Sequence, residues 1–378
     1  MKRILFLGLL SLFFQWECLA NVLTFGSYNV ENLFDAKHDK ENGLDKEDWS
    51  FLPREASGKK EACQKLKSRH HRRECLATDW SDSVVELKIG QIKEILSKGR
   101  ILPDFLGLQE IENPQVLARL AEKLGYTELE ITKSLDARGI DVALLYNNKN
   151  KNKKVIKKIA RLEHVVPVDY ATRNILEVEF LINNQYPLTV FVNHWPSLAN
   201  PDSWRIKAAE VLYSRSQEIM KKNPRMNIVA LGDFNTIESC DPHPFQSVLY
   251  RNQFFSDVEK VSLKIKGRSN DFLGTYYYLP KDQWSSLDHF FVNKNLLDQK
   301  ELDLNVLSFE IYAPQFAKIE IKRKDFQDFQ KNVKLIYAPA RFNPKGKTKK
   351  ELGYSDHFPI FMELRYPGPL DVKKKSNH

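Results

Sequence analysis

The segment Ile228-Val229-Ala230-Leu231-Gly232-Asp233-Phe234-Asn235-Thr236-Ile237 decides how this chain is read. Its four leading apolar residues have the character of a buried strand, and they end in Gly-Asp-Phe-Asn. Asp233 and Asn235 are two residues apart, and on a strand end that spacing puts both side chains on one face. A carboxylate and an amide leaving a buried strand together can grip a metal-bound phosphate and a water. A strand running into an ordinary Asp/Asn turn has the same pattern, so the other polar strand ends have to decide.

Those ends recur along the chain. Val22 to Tyr28 alternates apolar and polar residues, a first strand, and ends at Asn29. Phe105-Leu106-Gly107-Leu108 is a short buried strand stopping at Gln109-Glu110. Asp141 to Tyr146 is another, and Ile175–Ile182 and Leu188–Val192 form a pair around the Asn183-Asn184 turn, the second ending at Asn193-His194. Leu287 to Val292 and Phe358 to Leu364 complete the set, preceded by Ser286 and by Ser355-Asp356-His357. Between them, Val84–Ser97 carries a helical apolar face, Asn113-Pro114 opens a helix that Gly125 ends, and residues 202–222 form a third. Short turns between several strands favour a mixed sheet over a parallel barrel.

At 378 residues with 42% hydrophobic content and 23 Phe, the chain can bury one large domain. The formal charge of +9 favours anionic partners such as nucleic acid, phosphate esters or acidic lipid without choosing among them. Residues 1–20 have the basic start, apolar middle and small-residue exit of a secretory signal peptide, cut after Ala20; an uncleaved anchor is the alternative. No later segment is long and apolar enough to span a bilayer, so the mature chain is expected to be exported, periplasmic or secreted, without membrane insertion. Residues 21–366 form the domain, with a charged, turn-rich insertion or substrate-facing loop at about 36–81, and 367–378 are a basic tail. Within the insertion, Cys63 and Cys75 are the expected disulfide pair, leaving Cys240 unpaired; zinc binding with His70 and His71 is the alternative, although the spacing fits no standard finger.

Six clusters, Tyr28-Asn29-Val30-Glu31-Asn32, Leu108-Gln109-Glu110, Asn193-His194-Trp195, Gly232-Asp233-Phe234-Asn235, Ser286-Leu287-Asp288-His289 and Ser355-Asp356-His357, occur in an order that closely resembles the endonuclease/exonuclease/phosphatase superfamily. The chain looks like an exported, bacterial-type, deoxyribonuclease I-like member, and the resemblance spans roughly Val22 to Arg365. It implies an α/β fold, a four-layer α/β/β/α sandwich of two mixed sheets with the site at one end. It implies that Glu110, Asn29 and Asp356 hold a divalent metal, Mg²⁺ with Ca²⁺ or Mn²⁺ as alternatives. Asp233 and Asn235 would orient the attacking water and hold the phosphate. His357 would pair with Asp288, and His194 matches the second histidine of the deoxyribonuclease and phosphatase branches. On a looser alignment, Asp141 would orient His194 and Arg173 would contact phosphate.

The expected reaction is in-line attack of water on a phosphoester with no covalent enzyme intermediate. Nucleic acid is the leading substrate, with Lys149–Lys158, Arg69–Arg73 and Arg341–Lys350 as sources of phosphate contacts, though charge runs are usually solvated faces. A lipid- or inositol-phosphate-directed enzyme of sphingomyelinase type is the alternative. It would want an exposed apolar hairpin, for which Phe272-Leu273 and Tyr276-Tyr277-Tyr278 are candidates. A non-catalytic binding protein would have lost Glu110 or His357, and both are present. No protein partner is expected, and a monomer is the family default. His289 faces away from Asp288 on the same strand and stays outside the expected site.

Overall fold

A computed structural model describes residues 22–41, 44–148, 154–266, 274–322 and 335–367. The leader at 1–20, residues 149–153 of the Lys-rich run, Phe272-Leu273 and the tail beyond 367 lie outside the described residues.

Two mixed sheets face each other. The first has seven strands. At its centre, β1 (Val22–Leu33) runs parallel to β2 (Phe105–Ile111). Beyond β2 lie β4 (Asp141–Tyr146) and β3 (Glu128–Ile131), both antiparallel to their neighbours. The second sheet has six strands. There β5 (Ile156–His164), β6 (Ile175–Ile182) and β7 (Tyr186–His194) form a meander, and β7 runs parallel to β8 (Asn227–Asp233). Strands β9 (Phe255–Asp257) and β10 (Asp288–Asn293) close its other edge, β10 antiparallel to β8. On the far side of β1 in the first sheet, β11 (Asp303–Leu304) and β12 (Glu310–Ile311) pair with β13 (Ile360–Arg365).

Side-chain alternation divides the core into three clusters, which are the layers of the sandwich. Between the sheets pack Leu23 and Phe25 of β1, Val190 and Val192 of β7, Val229 and Leu231 of β8, and Phe290 and Val292 of β10. Outside the first sheet, Leu106 and Leu108 meet the apolar faces of two helices, α3 (Asp82–Ser97) and α4 (Pro114–Leu124). Outside the second, Ile228 and Ala230 meet α5 (Asp202–Lys222). The sheets approach so closely that a Cβ on Gly107 would lie 2.1 Å from Leu231 Cδ1. The expected four-layer α/β/β/α sandwich is the observed architecture.

The insertion differs from its expected form. Two short helices, α1 (Lys59–Lys65) and α2 (Arg69–Ala77), are joined by the Cys63–Cys75 disulfide, so these cysteines are not zinc ligands. The segment folds back on the sandwich: Phe51 stacks on Phe34 at 4.0 Å, and Trp80 donates to Phe34 O and touches the Phe342 ring. Buried Lys59 satisfies its ammonium on the carbonyls of Leu52 and Thr78. At the end of the Lys-rich run, Lys157 and Lys158 lie on β5, which begins at Ile156, and both are exposed.

Candidate active site

The inner side-chain rows of both sheets become polar at one end of the sandwich. Asn29 continues the row of Leu23 and Phe25, and His194 that of Val190 and Val192. Asp233 continues Val229 and Leu231, and Asp288 precedes Phe290 and Val292. Because β10 is antiparallel to β8, its first residue, Asp288, lies opposite the last residue of β8, Asp233. His357 joins them from the segment leading into β13.

Glu110 reaches the cluster differently. Alternation from Leu106 and Leu108 would turn it outward toward the helices. A bulge interrupts β2 between Gln109 and Ile111, and Glu110 takes a φ of 67°, which re-aims its side chain. Its Oε1 then lies 3.5 Å from Asn29 Nδ2 and 3.9 Å from His194 Nε2. Glu31 and Asn235 also adopt positive φ here, 54° and 44°. Such conformations cost roughly 1–3 kcal/mol each for non-glycine residues, and these three meet at one site. Gly232 has a φ of 135°, and a Cβ there would lie 2.0 Å from Asn193 O, so the residue before Asp233 must be glycine.

Asn29 Nδ2 donates to Asp233 Oδ2 at 3.1 Å, while its Oδ1 accepts from the Glu31 backbone N–H at 3.0 Å. The amide thus presents its donor end to Asp233 and Glu110 and holds those carboxylates. Asp233 Oδ1 accepts from Asn235 N at 2.9 Å, and Asn235 Nδ2 donates to Trp195 O at 3.1 Å. His357 Nδ1 is 2.7 Å from Asp288 Oδ2, and its Nε2 lies 3.9 Å from both Asp233 Oδ2 and Asp356 Oδ1. Thr275 Oγ1 accepts from Asp288 N at 3.2 Å, and Ser355 Oγ donates to Asn29 O at 2.7 Å, tying these loops to β1 and β10.

Two expected residues stand elsewhere. Asp141 does not orient His194. It lies on the outer row of β4, opposite Val142 and Leu144, and accepts from Thr132 Oγ1 at 2.6 Å and from the backbone and hydroxyl of Ser134. Arg173 is buried behind the site. It donates to Trp195 O, the carbonyl that also takes Asn235, and to Asp136 Oδ2 at 3.1 Å. It braces Asn235 from behind rather than lying open to a phosphate. Two arginines that the motifs do not mark are closer to solvent. Arg341 links Glu31 (Nη2–Oε1 2.7 Å) to Asp356 (Nη2–Oδ2 3.5 Å), and Arg138 lies 3.7 Å from Asp136 Oδ1. Only the basic character of 341–350 signalled the first; nothing local signalled the second.

Burial and charge drive the two histidines apart. Burial disfavours charge on His357, but Asp288 and then Asp233 overcome it and raise its pKa well above the ordinary value. Burial lowers His194 well below its ordinary value, and the charges of Arg173 and Arg138 push it further down. One imidazole is therefore held cationic and the other neutral, an acid/base division of labour. Asp233 rises to about 7, first by burial and then through Asp288, and Asp356 rises to about 7 by burial, Glu31 and Glu110.

Among the described residues, no three His, Cys, Asp or Glu side chains converge tightly enough to hold a metal ion by themselves. Glu110 and Asp356, both part-exposed, are the carboxylates available, at 15% and 20%. That donor set suits a hard, six-coordinate cation that keeps several waters and is completed by substrate phosphate. The surplus of carboxylates, which lifts Asp356 toward neutrality, is the charge such a cation would balance.

Comparison with known proteins gives a consistent picture. A family model described as the endonuclease/exonuclease/phosphatase family matches residues 24–366. None of the curated protein sequences compared with the chain matches it. Among solved structures, an endonuclease/exonuclease/phosphatase family protein from Bacteroides thetaiotaomicron aligns over 92% of this chain and 98% of its own at 14% identity, TM-score 0.51. Truncated Caenorhabditis elegans TDP2 aligns over 91% and 97% at 12% identity, TM-score 0.51. A mannosyl-6-phosphatase from B. thetaiotaomicron aligns over 91% and 100% at 14% identity, TM-score 0.52. At these identities the likeness is one of fold.

Proposed function

The chain belongs to the endonuclease/exonuclease/phosphatase family of metal-dependent phosphoric ester hydrolases, and from that premise we propose that it is an exported phosphodiesterase acting on nucleic acid. Five carboxylates and two oppositely tuned histidines at the ends of two sheets, flanked by Arg138 and Arg341, are the observation that carries this reading. Under it, Glu110 and Asp356 hold the divalent cation, Mg²⁺ by preference, which supplies Lewis-acid stabilisation of the phosphate oxygens. Asn29 keeps Glu110 and Asp233 in place. Asp233 orients the attacking water, and Asn235, braced through Trp195 O by Arg173, holds the scissile phosphate. His357, kept protonated by Asp288, offers its Nε2 proton to the oxygen where charge develops. Neutral His194 faces the same point with Nε2.

The rim favours a polyanion. Arg138 and Arg341 flank the cluster with part-exposed guanidinium groups. In the hairpin a lipid-directed enzyme would use, Tyr277 is buried; among its described residues Tyr278 and Leu279 are the exposed apolar ones, a small patch for membrane contact. Purified mature protein with Mg²⁺ should nick plasmid DNA, and the Glu110→Ala and His357→Ala forms should not. Wild-type protein that leaves DNA and RNA intact yet releases phosphocholine from sphingomyelin would replace this reading with the lipid one. Export is tested by N-terminal sequencing of protein recovered outside the cytoplasm, which should begin after Ala20.

A further inference from the structure

A cavity of about 360 Å³ opens beside the catalytic cluster. Its walls include Thr236 and Ser286, one residue beyond Asn235 and two before Asp288, together with His289 on the outer face of β10. None of the catalytic side chains lines it. Its size lies at the small end of ligand pockets, enough for one ring system rather than a length of chain.

The chemistry of the walls narrows the occupant. Charges cancel: Glu238 and Glu259 face Lys260 and His289, and Asp257 stands behind His289 with Oδ2 3.2 Å from Nδ1. A phosphate finds no surplus of positive charge there. Apolar surface comes from Ile237, Phe245, Leu263 and Trp284, so flat faces can be covered. Polar edges come in both senses. His243 Nδ1 accepts from Phe245 N at 3.2 Å, which places the ring proton on Nε2 as a donor, and Glu259 is an acceptor held by Ser286 Oγ at 3.2 Å. His289 is 4% exposed; its Nε2 is 3.0 Å from Ser286 O, and Nδ1, although close to Asp257, has no aligned hydrogen bond. With Nε2 on Ser286 O and Nδ1 turned to Asp257 behind it, the ring offers the cavity no free nitrogen, and His243 Nε2 and Glu259 are the polar edges left for a ligand.

We propose that this cavity is a nucleoside subsite, taking the uncharged base-and-sugar unit attached to the phosphate under attack and thereby selecting which phosphoesters are cleaved. The assignment rests on the phosphodiesterase reading of the adjoining site. An aromatic wall with donors and acceptors at the edge suits a base, which stacks on its faces and hydrogen-bonds at its rim, better than a free sugar with hydroxyls all round.

The test compares thymidine 5′-(p-nitrophenyl phosphate) with methyl p-nitrophenyl phosphate, which has the same leaving group and no nucleoside. Wild-type kcat/KM should favour the thymidine ester roughly tenfold or more, the scale of one base stack. Trp284→Ala and Glu259→Gln should each shrink that preference toward unity, mainly through KM, with the methyl ester hydrolysed as before. Equal kcat/KM for the two esters, or variants that slow both esters alike, would overturn the subsite. Calorimetric titration of the full-length protein with thymidine and adenosine reads binding without turnover. If neither ester is hydrolysed the phosphodiesterase reading fails, and saturable thymidine binding lost in Glu259→Gln still upholds the cavity. No heat with either nucleoside, or binding of methyl α-glucopyranoside in their place, overturns it.

Discussion

Replacing Gly232 by alanine tests whether the end of β8 is built around the active site. Gly232 pairs with Asn193 across the parallel ladder, and its φ is 135°. An added Cβ would lie 2.0 Å from Asn193 O and 2.8 Å from Asn193 C, whereas ordinary contact begins at 3.4 Å. The strands must therefore part locally by 3.4 − 2.0 = 1.4 Å. The obstacle is backbone, so no rotamer change relieves it. Backbone strain and overpacking each cost about 1–3 kcal/mol, so stability should fall by about 2–6 kcal/mol. The same displacement separates the next residues on each strand, Asp233 and His194, whose Oδ2 and Nε2 are now 3.6 Å apart. A misplacement of about 1 Å at a reacting centre costs on the order of a hundredfold. Gly107→Ala is the matched control. Its Cβ would lie 2.1 Å from Leu231 Cδ1, the mobile end of a side chain, so it should lose about 1–3 kcal/mol with little change in chemistry. Stability is read by guanidinium unfolding, and kcat/KM with bis(p-nitrophenyl) phosphate at a temperature where circular dichroism shows both variants folded. A folded Gly232→Ala enzyme with kcat/KM within about threefold of Gly107→Ala would refute the reasoning.

Arg341→Ala should raise KM for DNA, leave kcat close to wild type, and reduce the slope of log affinity against log salt by about one; an unchanged slope would show that Arg341 serves only Glu31 and Asp356. Replacing Cys63 and Cys75 by serine removes a link across a separation of 12 residues, worth about 3 kcal/mol on chain entropy. Limited proteolysis should then cut first between α1 and α2 with kcat/KM unchanged; a loss of activity as deep as that of Glu110→Ala would place the insertion within the site. His289 has its pKa raised to about 9, because Asp257 and Glu259 override the burial that opposes its charge. Raised above the ordinary 6.5, it stabilises the fold fully below pH 6.5, and that contribution is lost as pH rises through 9. About 3 kcal/mol is at stake. The stability difference between wild type and His289→Gln should therefore shrink from pH 6 to pH 9.5, and a constant difference would show that His289 is neutral throughout.

What the sequence made legible follows side-chain parity. Asn29, His194, Asp233 and Asp288 each extend a hydrophobic row that can be counted from the residues alone, so their convergence follows once the strands are placed. Asp141 fails by the same count, since Val142 and Leu144 hold the inner row and Asp141 must face out, where Thr132 and Ser134 take it. Resemblance to a motif outweighed parity there, wrongly. The insertion was misread because α1 and α2 carry almost no apolar face; their buried residues are Lys59, Cys63 and Cys75. Packing and the disulfide, rather than periodicity, hold them. Arg138 and Arg341 come from segments far apart in the chain and meet the site only through tertiary structure.

Glu110 shows where parity alone is insufficient and why the site is costly to build. Counted along β2, it belongs on the helix-facing side with Leu106 and Leu108, where an unpaired carboxylate would be severely penalised. The bulge turns it to the opposite side at the expense of a strained φ, and Asn29 meets it there with a donor. Folding by itself rewards neither move: the inward side already holds Asp233 and Asp288, both almost fully buried, and a further carboxylate raises the repulsion. Strain and like charge gathered at a single point are stable only if the rest of the sandwich over-determines them. Two parallel strand pairs at the centres of two packed sheets supply that rigidity. The strained backbone is therefore spent on bringing a carboxylate to a place where only a cation, a proton or a phosphate-bound metal can use it.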